Sequence, residues 1–482
     1  MNYEQFVASK SQFTTDSGFD PGELPSYLFD FQKHLVEWAC RRGRAAIFSD
    51  CGTGKTISQL VWSQKVVERT NKRVLILTPL AVANQTEREA AKFGIEAKRS
   101  KQGELEAKIV ITNYDRLHNF DPADFAGFVC DESSILKSVD GSTRKQITRF
   151  TLRTPYRLLC TATAAPNDYV ELGTSSEALG ELSHSDMLRR FFRQLDDKGQ
   201  KKEQKLQDKA EALIKQDSNY YGKLAFRVAQ TIGQWRLKNH AVDDFWRWVA
   251  SWARACRLPS DLGFSDEGFV LPELIQNEHI IKSASPPDGF LFNLPARGLG
   301  EEREERKRTL NERCKYVANL VNHDRPAVVW CQANAEGDLL EKVIIGARQV
   351  AGRTPDDEKV EIFEAFASGQ LRVLVIKPKI GAWGLNWQHC NHVVSFASHS
   401  FEQMYQSIRR CYRFGQKLPV TFDVVATEGE ERVLANLRRK ESQASQMFDL
   451  LVKEMRRSVQ INRENIYTKG VQIPSWLQAT VR

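Results

Sequence analysis

From about residue 44 to 165, short apolar runs rich in β-branched residues alternate with longer amphipathic stretches. Five runs read as strands: RAAIFS, RVLILT, AKIVIT, FAGFVC and YRLLCT. Each is followed by a polar or Gly-containing turn and then a helix-like segment. Apolar strands separated by helical periods predict a parallel sheet with helices on both faces. A second series begins after residue 325 with PAVVWC, RVLVIK, NHVVSF and TFDVVAT. The pattern therefore predicts an α/β chain with two such units.

The stretch between them, about 181–300, differs in texture. It is rich in Lys, Gln and Trp and helical in pattern to about residue 257, then loop-like through RLPSDLGFSDEGF and SASPPDGF. Within 186–257 there are sixteen basic and nine acidic side chains, an excess of +7, against +8 for the whole chain. A solvated helical insertion accounts for such a charge run as well as an anion-binding one does. Trp248 and Trp252 stand four residues apart, as do Phe245 and Val249, which favours a stripe packed on a core over a base-stacking wedge. The run EEREERKR at 301–308 reads as a charged helix start, and 445–482 as an amphipathic, basic tail.

Composition narrows the class. Hydrophobic residues make up 41% of the 482 and charged residues 27%, the balance of a globular protein large enough for two or three domains. No stretch approaches the roughly 18 consecutive apolar residues of a membrane span, so no membrane association is expected. The start, MNYEQFVASKSQF, lacks the basic and apolar regions of a secretory signal. The nine cysteines are scattered without a CxxC pair or zinc spacing, which suits a reducing cytoplasm. The positive charge fits an anionic partner without requiring one.

The sharpest chemical signal is AAIFSDCGTGKTISQL. A strand ends near Phe48, a Gly-bearing loop follows, and Lys55 and Thr56 open an amphipathic helix. Gly52 and Gly54 let backbone N–H groups close around phosphate oxygens, where the helix N-terminus adds partial positive charge. Lys55 would reach the β- and γ-phosphates and Thr56 would ligate Mg²⁺. Ser49 stands where the motif GxxxxGK[ST] has its first Gly.

In FVCDESS, Asp131 and Glu132 fall at the end of a buried strand. Alone, two adjacent acids are usually a solvated turn. Downstream of a phosphate loop, the first can hold Mg²⁺ through water and the second can orient or deprotonate an attacking water. In EQMYQSIRRCYRFGQ, Arg409, Arg410 and Arg413 fall on adjacent turns, and Arg410 and Arg413 share one face. Such a cluster is ordinarily a solvated or phosphate-binding face. Presented from a second domain to a γ-phosphate, it would stabilise transition-state charge.

The order SDCGTGKT, DESS, TATAAPN, GAWGLN and QSIRRCYRFGQ resembles the superfamily 2 helicases, most closely the Swi/Snf-type DNA translocases. The resemblance covers roughly residues 25–175 and 325–440. It implies two RecA-like parallel-sheet domains in tandem, 1–180 and 301–445, with the helical, basic insertion 181–300 between them and a tail at 446–482. LFDFQKHLVEW resembles the Q-motif region, in which Gln32 would read adenine. LILTPLAVANQ and ITNYDRL resemble backbone-contacting motifs, implicating Thr78, Pro79 and Thr112 in nucleic-acid binding. LLCTATAAPND resembles the coupling motif, through Thr161 and Thr163. IKPKIGAWGLN resembles the segment lining the cleft from the second domain, with Gly381, Gly384 and Asn386. QSIRRCYRFGQ matches QxxxRxxRxGQ, which carries over Gln406, Arg410 and Arg413 as γ-phosphate-sensing residues. ITNYDRLHNFD, ELGTSSEALG and WRLKNHAVDDFWRWVASW are also similar to phage-encoded helicases, which would put the protein in a host bacterial cytoplasm. Ser134 replaces the His of DEAH, and Ala164 stands where a Pro often follows TxT.

The resemblance implies an ATP hydrolase using ATP and Mg²⁺, with Gly52, Thr53, Gly54, Lys55 and Thr56 on the phosphates. Asp131 would hold the metal and Glu132 would activate water. DNA, single-stranded, duplex or forked, is the expected partner. Rival readings are a duplex translocase that does not separate strands, an RNA helicase, and a non-catalytic nucleic-acid-binding module.

Overall fold

The structure, a computed structural model, describes residues 17–166, 169–196, 231–232, 235–282, 299–381 and 385–464. It is α/β, with two parallel sheets and one small antiparallel sheet. The first sheet uses β1 (Arg44–Ser49), β2 (Arg73–Thr78), β3 (Ala97–Arg99), β4 (Ile109–Asn113), β5 (Phe125–Asp131) and β6 (Tyr156–Thr161). The five runs read as strands from the sequence are all here. A small antiparallel sheet follows, from β7 (Phe192–Gln194), β8 (Thr231–Ile232) and β9 (Trp235–Leu237). Then come β10 (Ala253–Cys256) and β11 (Leu274–Ile281). The second parallel sheet is completed by β12 (Ala327–Trp330), β13 (Ala347–Val350), β14 (Val373–Ile376), β15 (His392–Phe396) and β16 (Val420–Thr427).

The strand orders are β10-β1-β6-β5-β2-β4-β3 and β11-β16-β15-β12-β14-β13, each ladder parallel. Helices lie on both faces, so each sheet has two apolar cores, one per face. Strands covered on both faces need near-continuous apolar runs, which is why RVLILT and AVVW are buried almost throughout. The arrangement is that expected of two RecA-like domains.

The segment 181–300 departs from the expectation of a helical insertion ending in loop. Ala253–Cys256 is a buried edge strand, registered parallel to β1 from Ala46↔Ala253 to Ser49↔Cys256. It follows the helix Val242–Trp252 without a polar break, so its small apolar residues read from sequence as more helix. Trp246, Trp248 and Trp252 of that helix are buried in the first domain's core, as the stripe predicted. In the stretch read as loop, β11 pairs with β16 over eight residues, its polar LIQNEHII only half-buried at a sheet edge. Half of the basic residues of 186–257, Lys198 to Arg227, lie outside the described residues.

The last described helix, Glu431–Glu464, runs straight through the 445/446 division drawn from the sequence. It leaves the second sheet and returns to the first, where Met447, Phe448, Leu451 and Met455 join the core around Trp252 and Ala255. Arg257 ties it down through the Ser445 carbonyl at 2.9 Å and Asp449 at 3.1 Å. All nine cysteines are free, and only Cys51 is not fully buried. Among the described residues, no helix is long and apolar enough to cross a membrane.

Candidate functional site: a cleft between two sheets

The phosphate loop spans the gap from β1 to the helix Lys55–Thr70. Gly52 (φ 89°) and Gly54 (φ 81°) are left-handed, where a side chain is strained. Space also demands glycine. A Cβ on Gly54 would lie 2.2 Å from Gln32 Nε2, and one on Gly52 2.7 Å from the Phe414 backbone nitrogen. Lys55 Nζ donates to the carbonyls of Ser49 at 2.9 Å and Asp50 at 3.0 Å. Thr53 Oγ1 donates to the Asp50 carbonyl at 2.7 Å, and Thr56 is half-buried in the first helical turn. The edge strand β10 props the loop directly, its Cys256 carbonyl accepting from Asp50 N at 2.9 Å. Gln32, opposite the loop, donates to the Thr53 carbonyl at 2.9 Å and accepts from Phe29 N at 3.1 Å.

Asp131 ends β5, between the phosphate-loop helix and β2. Gln59 Nε2 donates to its Oδ1 at 2.7 Å and Thr78 Oγ1 to its Oδ2 at 3.2 Å. Burial raises the Asp131 pKa, against those bonds and the charge of Lys55. Glu132 takes a left-handed conformation (φ 51°), uncommon outside glycine, which turns its side chain out of the strand direction. Burial and then the Asp131 charge push Glu132 up to about 7, with Lys55 and Arg410 working against them. Thr161 Oγ1 donates to Glu132 Oε2 at 3.3 Å and accepts from Thr163 N at 3.0 Å. The segment Thr161–Thr163 is thus joined to the Asp131–Glu132 loop through Glu132. Ser134 is buried with its hydroxyl unpaired among the described residues, so the replaced His is bypassed rather than imitated.

The second sheet contributes through the helix Phe401–Ile408 and the turn after it. Arg410 is buried and held by three oxygens: Gln406 O at 3.1 Å, Gln406 Oε1 at 2.7 Å and Leu385 O at 3.2 Å. Arg413 donates to Asn386 Oδ1, and burial and the Arg410 charge push its pKa down to about 10. Gly381 is buried at the end of the short helix Pro378–Gly381, and Gly384 lies outside the described residues.

The two halves meet at residues whose part the sequence did not single out. Arg409 Nη2 contacts Asp50 Oδ2 at 2.5 Å, and the Tyr405 hydroxyl donates to Asp50 Oδ1. The Arg409 guanidinium lies 5.0 Å from the ring centres of both Tyr405 and Tyr412. Burial disfavours its charge most, but Asp50, Tyr405 and Cys51 together outweigh that and raise its pKa. Lys137, just beyond the catalytic motif, pairs with Glu402 across the same cleft. For Arg409 the clue lay in an acid within the phosphate loop and a spare arginine in the second domain. Gln59 was legible too, as a polar residue one turn after Lys55.

The expected nucleic-acid contacts stand elsewhere than on the surface. Thr78 and Thr112 are buried, the first bonded to Asp131 and the second to the Ser100 carbonyl at 3.1 Å; Pro79 is half-buried.

Residues 310–415 match the family described as helicase conserved C-terminal domain. The chain carries a helicase-type C-terminal domain. The match runs from the helix Leu310–Leu320 to the arginine turn, over β12 to β15 of the second sheet, and supports a helicase of the superfamily 2 type. The chain is also 34% identical over 110 residues to the bifunctional helicase and thymine dioxygenase JBP2 of Leishmania tarentolae, and equally to those of Leishmania infantum and Leishmania major. That stretch is 21% of this chain and 10% of each relative, so the likeness covers about a tenth of their length.

Proposed function

We propose that the protein is a nucleic-acid-stimulated ATPase that couples hydrolysis between two RecA-like domains to movement along DNA. The observation that carries this is the convergence on one cleft of Lys55, Asp131 and Glu132 from the first sheet with Arg410 from the second, whose charge is felt at Glu132.

ATP would lie against the loop Gly52–Thr56, with Lys55 turning from its loop carbonyls to the phosphates. Gln32, bonded to the loop and to Phe29 N, stands ready to read the adenine. Buried Asp131 and the hydroxyl of Thr56 suit Mg²⁺, which takes few protein ligands and keeps phosphate and water oxygens for the rest. The ion, when bound, neutralises charge developing on the phosphates. Glu132, poised near neutrality, would accept the proton of the attacking water, and Arg410 would stabilise the γ-phosphoryl charge. Gln406, Asn386 and Arg413 would hold that arginine's side of the cleft. Thr161 and Thr163 would pass the state of Glu132 to the rest of the first domain, so that hydrolysis and domain closure proceed together.

DNA is favoured over RNA because the relatives are named for a helicase joined to a thymine dioxygenase, and thymine is a DNA base. The RxGQ ending of the arginine motif points the same way. ATP turnover measured alone and with single-stranded DNA, duplex DNA, forked DNA and RNA tests the reading. Strong stimulation by DNA, lost in Lys55→Ala and reduced about 10³-fold or more in Arg410→Ala, is expected. Turnover indifferent to every nucleic acid would overturn it. Unwinding of a short tailed duplex separates a helicase from a duplex translocase.

A further inference from the structure

Away from the ATP cleft, the first domain carries a groove of about 390 Å³ between the turn Tyr114–Asn119 and the helix Ser142–Thr151. Its floor is apolar, from Leu117, Phe120 and Phe150. Its rim is basic: Lys145, Arg149 and Arg153 line it and are exposed. Lys145 and Arg149 stand four residues, about 6 Å, apart along the helix, and Arg153 follows in the turn just past its end, lining the same groove. The same helix places Arg144 inward, paired with Glu177 at 2.6 Å, whereas the three rim cations meet no carboxylate among the described residues. Among the described residues, no acidic side chain lines the groove.

Both walls lead to the catalytic loop. One begins at Tyr114, whose hydroxyl donates to the backbone carbonyls of Asp131 and, at 3.5 Å, Glu132. The other follows from Glu132 through the turn Ser133–Lys137. Thr78 and Thr112, expected to touch nucleic acid, are buried, whereas these three cations are exposed and lie near the Asp131–Glu132 loop.

We propose that this groove binds the phosphate backbone of a nucleic-acid strand and signals its presence to Glu132 through Tyr114 and the start of the basic helix. Rows of unpaired cations favour a regularly spaced polyanion, and contacts to phosphates carry little sequence information. The inference rests on the nucleic-acid reading above.

The test uses the full chain and a short fluorescent oligothymidylate or duplex, with binding followed by anisotropy over a range of salt. In Lys145→Gln/Arg149→Gln/Arg153→Gln the affinity should fall about tenfold or more, and the salt slope should drop by about 2, as expected for three lost phosphate contacts on a single strand. Stimulation of ATP turnover should fall with it. An Arg149→Lys/Arg153→Lys protein should bind nearly as the parent does, which a structural role for the arginines would not allow. Equal thermal melting of parent and variants checks that the exposed changes leave the fold intact. If the parent binds and the glutamine variant matches its affinity and slope, the groove proposal falls while the nucleic-acid reading stands. If the parent binds neither probe, both fall. If the variant loses binding of polyglutamate but keeps the oligonucleotide, the groove takes an acidic protein and the proposal is overturned.

Discussion

Each parallel sheet buries carboxylates at its core, and the two sheets treat them in opposite ways. In the first, burial raises both Asp131 and Glu132 at the end of β5, and the Asp131 charge lifts Glu132 further, to about 7, against Lys55 and Arg410. In the second, Asp423 on β16 is as buried, yet held down at about 2. Burial raises it too, but bonds from His392 at 2.7 Å, His279 at 2.8 Å and Asn277 at 2.9 Å prevail. Tyr316 and His323 extend that network through His279 and His392. A carboxylate left short of donors stays able to exchange a proton. One saturated with donors ties β11, β15 and β16 together, and its proton is out of reach.

The comparison breaks most visibly at Glu132. Glu132→Gln keeps shape and one acceptor but loses the base, so nucleic-acid-stimulated turnover should fall about 10²–10⁴-fold while ATP binding persists. A steady-state assay beside a nucleotide-binding titration checks this; near-parental turnover would make Glu132 as structural as Asp423.

The smaller effect is in stability. Asp423 is pulled from an ordinary 3.8 to about 2, so its ionised form favours the folded state by about 2 kcal/mol. That contribution is present above the unfolded pKa near 3.8 and is lost as pH falls through about 2. Asp423→Asn should therefore be less stable by about 2 kcal/mol at neutral pH, with turnover per folded molecule little altered. The gap should narrow in acid, read by denaturant unfolding at neutral pH and near pH 3. A gap that widened in acid would reverse the assigned sign.

Smallest should be Ser134→Ala. Since Glu132 itself bonds Thr161, removing the unpaired Ser134 hydroxyl is expected to change turnover by less than about threefold. A large loss would mean that Ser134 carries the link after all.

Legibility followed chain distance. Gly52, Gly54, Lys55 and Thr56 could be singled out as candidates because they stand within one turn of chain, after a strand whose apolar run marks it. Asp131 and Glu132 could be singled out for the same reason, at and just after the end of β5. Thr78 and Thr112 were expected to touch nucleic acid from motif resemblance alone, and motif position does not tell which way a side chain at a strand end turns. Here the buried Asp131 carboxylate and the Ser100 carbonyl claim their hydroxyls. The Asp50–Arg409 pair joins residues 359 apart, and no spacing rule connects them.

The sequence by itself determined nine of the thirteen strands of the two sheets, the alternation that makes them parallel, and the local grouping of candidate residues in loop and carboxylates. These depend on periodicity and on neighbours within a few residues. Tertiary structure alone decided that Ala253–Cys256 would prop the phosphate loop, that Leu274–Ile281 would extend the second sheet, and that the helix Glu431–Glu464 would return to the first. An edge strand has only one neighbour and half a buried surface to announce it, and a long amphipathic helix does not say which sheet its apolar stripe will find.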